Sequence, residues 1–148
     1  MIRFIYSGEI YDKDREKVIE NLTTCVSLII PLPDTIEIEF RKLPDSIYGE
    51  MVLDPRFPNR VRLSESLTIR EVVRPLVHEL IHVHQVHTGR LSVRRDSACI
   101  WQGKVYHVKM EGITVEEWSA LPWEQDVANT QNSVLKRAME LGITMSCT

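Results

Sequence analysis

Five consecutive residues, His78-Glu79-Leu80-Ile81-His82, constrain this chain more than any other feature. They lie inside an apolar-periodic stretch. In a helix, residues four apart project from one face, so the two imidazoles can grip a single metal ion. Glu79, one position past His78, points to the edge of that site, where it can reach water rather than the metal. Two imidazole ligands beside a carboxylate base are the working parts of a zinc hydrolase.

With 148 residues the chain can bury a core without disulfides, and residues 1–148 are read as one domain. Hydrophobic content of 43% with 26% charged residues is that of an ordinary globular protein. A formal charge of −3 argues against nucleic acid held by bulk charge, and the small basic cluster Arg90, Arg94 and Arg95 reads as a solvated face. Met1 to Gly8 is too short and too soon polar for a signal peptide. The most apolar run, Cys25 to Leu32, falls far short of a membrane span and is broken by Pro31 and Pro33. Cys25, Cys99 and Cys147 are scattered, so free thiols in a reducing, cytoplasmic compartment are expected (a host cytoplasm if the protein is phage-encoded).

Ile2 to Tyr6 reads as a strand and Asp12 to about Ile29 as a helix, stopped by Pro31 and Pro33. Alternation of Ile36, Ile38 and Phe40 with Glu37 and Glu39 predicts a half-buried strand over 35–40. Tyr48 to Leu53 and Asn59 to Leu63 predict two more, separated by the turn-rich stretch from Asp54 to Pro58. Thr68 and Glu71 form a capping-box pattern for a helix running to His87 and ended by Gly89. Pro75 either bends that helix or sits near its true first turn. Two strands joined at Gln102-Gly103 follow, then a long helix from Pro122 to Leu141-Gly142, with Val127, Ala128, Gln131, Val134, Leu135 and Ala138 along one side. The expected fold class is α+β, a small, mostly antiparallel sheet covered by helices. Trp101 and Trp123 are expected to be core anchors.

A catalytic zinc usually takes three protein ligands, so His78 and His82 need a partner. His84, His87, His107, Glu111, Glu116, Glu117, Glu124 and Asp126 are available. His84 lies on the helix flank and His87 near the helix end, where a histidine suits the dipole. Gln85 and Thr88 stand where a metzincin-type extension would need His and Gly. Glu124 is the best third ligand: it falls in a firm first helical turn, and Ala128 four residues on is small enough for close packing on the histidine helix. Asp126 projects to the opposite side, with Asn129, Thr130, Ser133 and Arg137, a face expected to be polar and solvated.

These residues resemble the gluzincin branch of the zincin metallopeptidases. More narrowly, the segments Val77 to Gln85, Trp101-Gln102-Gly103-Lys104 and Pro122 to Ala128 resemble a set of small phage and bacterial zincin-like proteins. Those carry a His-Glu-x-x-His-Val-x-Gln helix, a Trp-x-Gly-Lys turn and a Pro-Trp-Glu-x-Glu-Ala helix start. The resemblance covers the C-terminal half and implies a zincin-like fold, zinc at His78, His82 and Glu124, and peptidase chemistry. Two departures stand out: Asp126 replaces a second Glu, and Ala128 sits where larger gluzincins place an Asp that orients a ligand histidine.

The mechanism so implied is metal-assisted hydrolysis of a peptide or protein substrate, with Glu79 taking a proton from water and passing it to the leaving amine. His107 is the candidate to stabilise the oxyanion; Tyr106, of opposite strand orientation, is the alternative. The strand 59–63 could receive an extended substrate by strand addition. The alternative function is a zinc-stabilised binding module that engages a protein partner without turnover. Glu79 favours chemistry, because a structural zinc needs a fourth ligand and no base. Substrate identity and oligomeric state are left open by the sequence.

Overall fold

The computed structural model describes residues 1–8, 13–44, 46–54, 56–57 and 59–146. The expected thiol at Cys147 and the expected helix start at Asp12 lie outside the described residues. The fold class is α+β. In chain order the elements are β1 (Arg3–Ser7), α1 (Lys13–Ser27), β2 (Thr35–Arg41), β3 (Gly49–Met51), β4 (Arg60–Ser64), α2 (Val73–His87), β5 (Leu91–Val93), β6 (Cys99–Trp101), β7 (Lys104–Tyr106), α3 (Val115–Ser119) and α4 (Pro122–Ser146).

The expectation of one mostly antiparallel sheet is corrected. There are two sheets, and the larger, ordered β1-β2-β4-β3, is mixed. β1 pairs with β2 in parallel because α1 carries the chain back across the sheet, and β4 also lies parallel to β2. Only β3, at the edge, runs antiparallel to its neighbour. β2 alternates as its sequence demands: Ile36, Ile38 and Phe40 are buried, while Glu37 and Glu39 face Arg60 and Arg62 across the strands. Ile19, Leu22 and Val26 of α1 and Leu76, Val77 and Leu80 of α2 bury themselves in the same core. Arg15 ties α1 to the approach to α2: its guanidinium donates to the carbonyls of Glu65 and Leu67 and lies 4.5 Å from the Phe40 ring centre.

Pro75 stands in the first turn of α2. The capping box forms, with the Thr68 amide donating to Glu71 and the Glu71 amide to the Thr68 hydroxyl, but it closes a separate turn. Pro75 has no N–H to continue that turn into a helix, so α2 proper begins at Val73.

The smaller sheet, β5-β6-β7, is antiparallel and packs Leu91 and Trp101 against Trp123. Gln102 (φ 49°) and Gly103 (φ 85°) make the β6–β7 turn, both in the left-handed region that a two-residue hairpin of this twist requires. β5 and α3 were not foreseen. α4 runs through Gly142 to Ser146 rather than ending at Gly142. A Cβ at Gly142 would reach Cys25 Sγ of α1 at 3.8 Å, so this glycine lies against a neighbouring helix and is not a stop signal. Cys25 is buried in the core, and Cys99 is a half-buried free thiol. No helix among the described residues is long and apolar enough to cross a membrane.

Candidate metal centre

α2 places the His78 and His82 rings edge to face, 5.1 Å between centres, as four-residue spacing on one helix requires. One ligand atom each from His78, Glu79 and His82 falls within 4.8 Å of the others. The first turn of α4 adds Glu124. Its Oε1 lies 2.7 Å from His82 Nε2, and its Oε2 lies 3.5 Å from His78 Nε2. Glu79 Oε1 is farther out, 3.8 Å from His78 Nε2. Two carboxylates therefore flank the imidazoles, and the one from α4 holds the closer, shared position. Glu79 (4% exposed) and Glu124 (7%) are both buried.

Other elements complete the walls. Trp118 of α3 stacks on the His78 ring with centres 6.3 Å apart. Gly49 of β3 makes room for Glu79, since a Cβ there would meet Glu79 Cγ at 3.2 Å. The second nitrogen of each ring meets a glutamine: His78 Nδ1 is 3.0 Å from Gln131 Oε1, and His82 Nδ1 is 2.8 Å from Gln85 Oε1.

Electrostatics separate the two acids. Burial pushes the Glu79 carboxyl up to about 7 against the opposing pull of His82 and His78. Burial also acts on Glu124, but hydrogen bonds from His78 and His82 overcome it and hold that carboxyl below its ordinary value. The imidazoles answer in kind. Burial disfavours their charge, yet hydrogen bonding to Glu124 and the field of Glu79 raise His78 to about 9 and raise His82 as well. The cluster is thus built to stabilise positive charge at its centre.

The donor set fits a divalent cation. Protons on the two Nε2 atoms satisfy Glu124, and a cation bonded to those nitrogens and that carboxylate would supply the same two charges. Glu79 Oε2 is buried and lacks a hydrogen-bond partner among the described residues, which leaves it free to take a proton from water.

Other expected residues fall elsewhere. His84 Nδ1 meets the Pro31 carbonyl at 2.8 Å, and His87 is exposed at the end of α2. His107 lies just past β7, exposed, in the wall of an open cavity of about 630 Å³ shared with Asp96, Lys109 and Glu117. Tyr106 packs edge to face on Trp123. Trp101 and Trp123 are buried, as expected. The basic cluster is divided, Arg90 pairing with Asp126 and Arg94 with Asp96.

Three expectations are corrected. Asp126 does not sit on a solvated face; it accepts from Gln85 Nε2 at 2.9 Å and from Arg90 at 3.0 Å. Ala128 is exposed, so the α2–α4 packing does not run through it; Val127 is the neighbour buried in the core that both helices share. Strand 59–63, seen as β4, is paired on both sides and has no edge for an added strand. Gln85, Gln131, Trp118 and Gly49 were missed. Gln85 had a signal as the last residue of the His-Glu-x-x-His-Val-x-Gln pattern, and Trp118 had one in the Thr114 and Glu117 capping box of the helix that carries it.

The arrangement defines a class: an α+β protein in which one helix presents two imidazoles and a carboxylate, and a second helix brings another carboxylate against both imidazoles. No family model, curated protein or solved structure matches the chain.

Proposed function

We propose that the protein is a zinc-dependent peptidase of zincin-like build, with His78, His82 and Glu124 as ligands and Glu79 as general base. The observation that carries this reading is the convergence of two Nε2 atoms from α2 on one buried carboxylate from α4, beside a second carboxyl with an unpartnered oxygen. Zinc held by His78, His82 and Glu124 would supply Lewis acidity, lowering the pKa of water and polarising a carbonyl. Glu79 accepts the proton from water at Oε2 and delivers it to the leaving amine. β3, at the sheet edge, carries Gly49 against Glu79, so an extended peptide pairing with β3 would run past the base. The free thiol of Cys99 fits a cytoplasmic setting.

One observation favours the second reading, a zinc-stabilised binding module for a protein partner. Glu79 and Glu124 are almost closed off from solvent and Trp118 covers one face of His78, which restricts substrate access. Elemental analysis of protein purified without added metal, followed by cleavage of a peptide library, decides between them. One zinc per chain with cleavage supports the peptidase; one zinc with no cleavage supports the module. A folded protein that carries no metal and ignores added zinc removes both.

A further inference from the structure

Gln85 is fully buried yet polar, and every atom of its amide is in use. Its Nε2 donates to the Trp123 carbonyl at 2.9 Å and to Asp126 Oδ2 at 2.9 Å. Both partners can only accept, so the amide has one orientation, and its Oε1 must face His82 Nδ1 at 2.8 Å. An amide oxygen accepts and cannot donate. His82 Nδ1 therefore carries a hydrogen, and in the neutral ring Nε2 is left with its lone pair directed toward Glu124. The clamp is itself held from outside: Asp126 Oδ1 accepts from Arg90, whose guanidinium lies 4.7 Å from the Trp101 ring centre. A chain of contacts from Arg90 through Asp126 and Gln85 to His82 thus joins α4 and the β5–β6 sheet to the imidazole.

We propose that Gln85 and Asp126 are positioning residues that fix the ring orientation and tautomer of His82, so that Nε2 is presented to the metal. The proposal rests on the zinc reading above, and its test separates the two.

The test measures zinc affinity by competition with a chromophoric chelator, with folding followed by circular dichroism and the His82 ring nitrogens by long-range ¹H–¹⁵N spectra of the zinc-loaded protein. Gln85→Met keeps the length of the side chain but offers His82 no comparable acceptor, and is expected to weaken zinc binding by about 10–100-fold. Asp126→Ala leaves Gln85 present but released on one side, and is expected to lose about tenfold, near the low end of such effects. The double variant Gln85→Glu/Asp126→Asn restores the acceptor for Nδ1–H: the new carboxylate accepts from it and from the new amide, which still accepts from Arg90, while the Trp123 carbonyl loses its donor as it also does in Gln85→Met. It is expected to bind zinc at least about tenfold more tightly than Gln85→Met. A slowly exchanging proton on His82 Nδ1 is expected in wild type and the double variant and not in Gln85→Met. Folded Gln85→Met and Asp126→Ala proteins that bind zinc as wild type does would overturn the proposal while leaving the zinc site intact, as would a zinc-loaded wild type protonated at Nε2 of His82. If Gln85→Met fails to fold, Asp126→Ala and the double variant decide. A wild type that binds no zinc would overturn the underlying reading and this role together.

Discussion

Glu79 and Glu124 are two buried carboxylates beside the same imidazoles, and their surroundings drive them apart. Hydrogen bonds from both histidines hold Glu124 ionised, whereas burial raises Glu79 to about 7. The division of labour has a direct test. Glu79→Gln is expected to keep zinc and fold while losing at least about 100-fold in hydrolysis, the low end of what a positioned base contributes. Glu124→Ala is expected to lose zinc, and with it activity and metal-dependent thermal protection. Loss of zinc from Glu79→Gln, read by elemental analysis, would exchange the two assignments. At this scale His78, Glu79 and His82 were legible because four-residue helical spacing sets two imidazoles on one face. Glu124 was reached from its place in a first helical turn and from expected close packing at Ala128, and only the first of those grounds holds. The partners of Gln85 and Gln131 were not legible, because a glutamine has no chemistry that stands out until its neighbours are known. Asp126 was misread for a related reason. A helical wheel gives the direction of a side chain but does not say that Arg90 and Gln85 will come to meet it.

Between elements, two close approaches shape the site. The first is β3 against α2 at Gly49. A Cβ there stands 3.2 Å from Glu79 Cγ and 3.3 Å from the Arg62 carbonyl oxygen, so Glu79 has to move by a few tenths of an ångström. Gly49→Ala is therefore expected to lower turnover with zinc affinity kept, read as a fall in kcat at constant metal content; unchanged turnover would show that Glu79 yields without leaving its working position. The second approach is α2 against α4. Because Val127 is fully buried and Ala128 exposed, Val127→Ala is expected to destabilise by on the order of 2 kcal/mol, whereas Ala128→Leu should stay within about 0.5 kcal/mol of wild type. Denaturant midpoints check both values, and the opposite ranking would move the helix contact to Ala128. The periodicity of α4 was legible: Val127, Val134 and Ala138 are buried and Gln131 and Leu135 half-buried on the side the sequence indicates, and only Ala128 of that stripe is exposed. The end of α4 was missed because Gly142 resembles a stop signal until α1 is seen beside it.

Over the whole molecule the α+β class could be read from the order of periods. Sheet membership could not. Nothing local in strands of three to seven residues says that β4 joins β2 in parallel while β5 to β7 close a sheet of their own. What the assembled fold adds is a coupling between stability and pH that no single element carries. His78 is raised from 6.5 to about 9, so in metal-free protein its contribution is fully present below about 6.5 and is lost as pH rises through 9. Glu79, raised from 4.5 to about 7, acts in the same direction at lower pH: the fold is favoured while that carboxyl is protonated, and the advantage fades between 4.5 and 7. Zinc reverses the sign, because the protons it must displace from the two imidazoles are held less firmly as pH rises. Metal-free protein is therefore expected to melt at progressively lower temperature from pH 6.5 to 9, while the increment given by excess zinc grows over the same range. At a free zinc concentration of about 100 times Kd that increment is about 2.7 kcal/mol, or roughly 5–10 °C for a chain of this size. Thermal melts with and without zinc at fixed free metal, taken across that range, measure it. An increment that stays constant or shrinks with rising pH would show that zinc does not replace protons on His78 and His82, and that the ligands lie elsewhere.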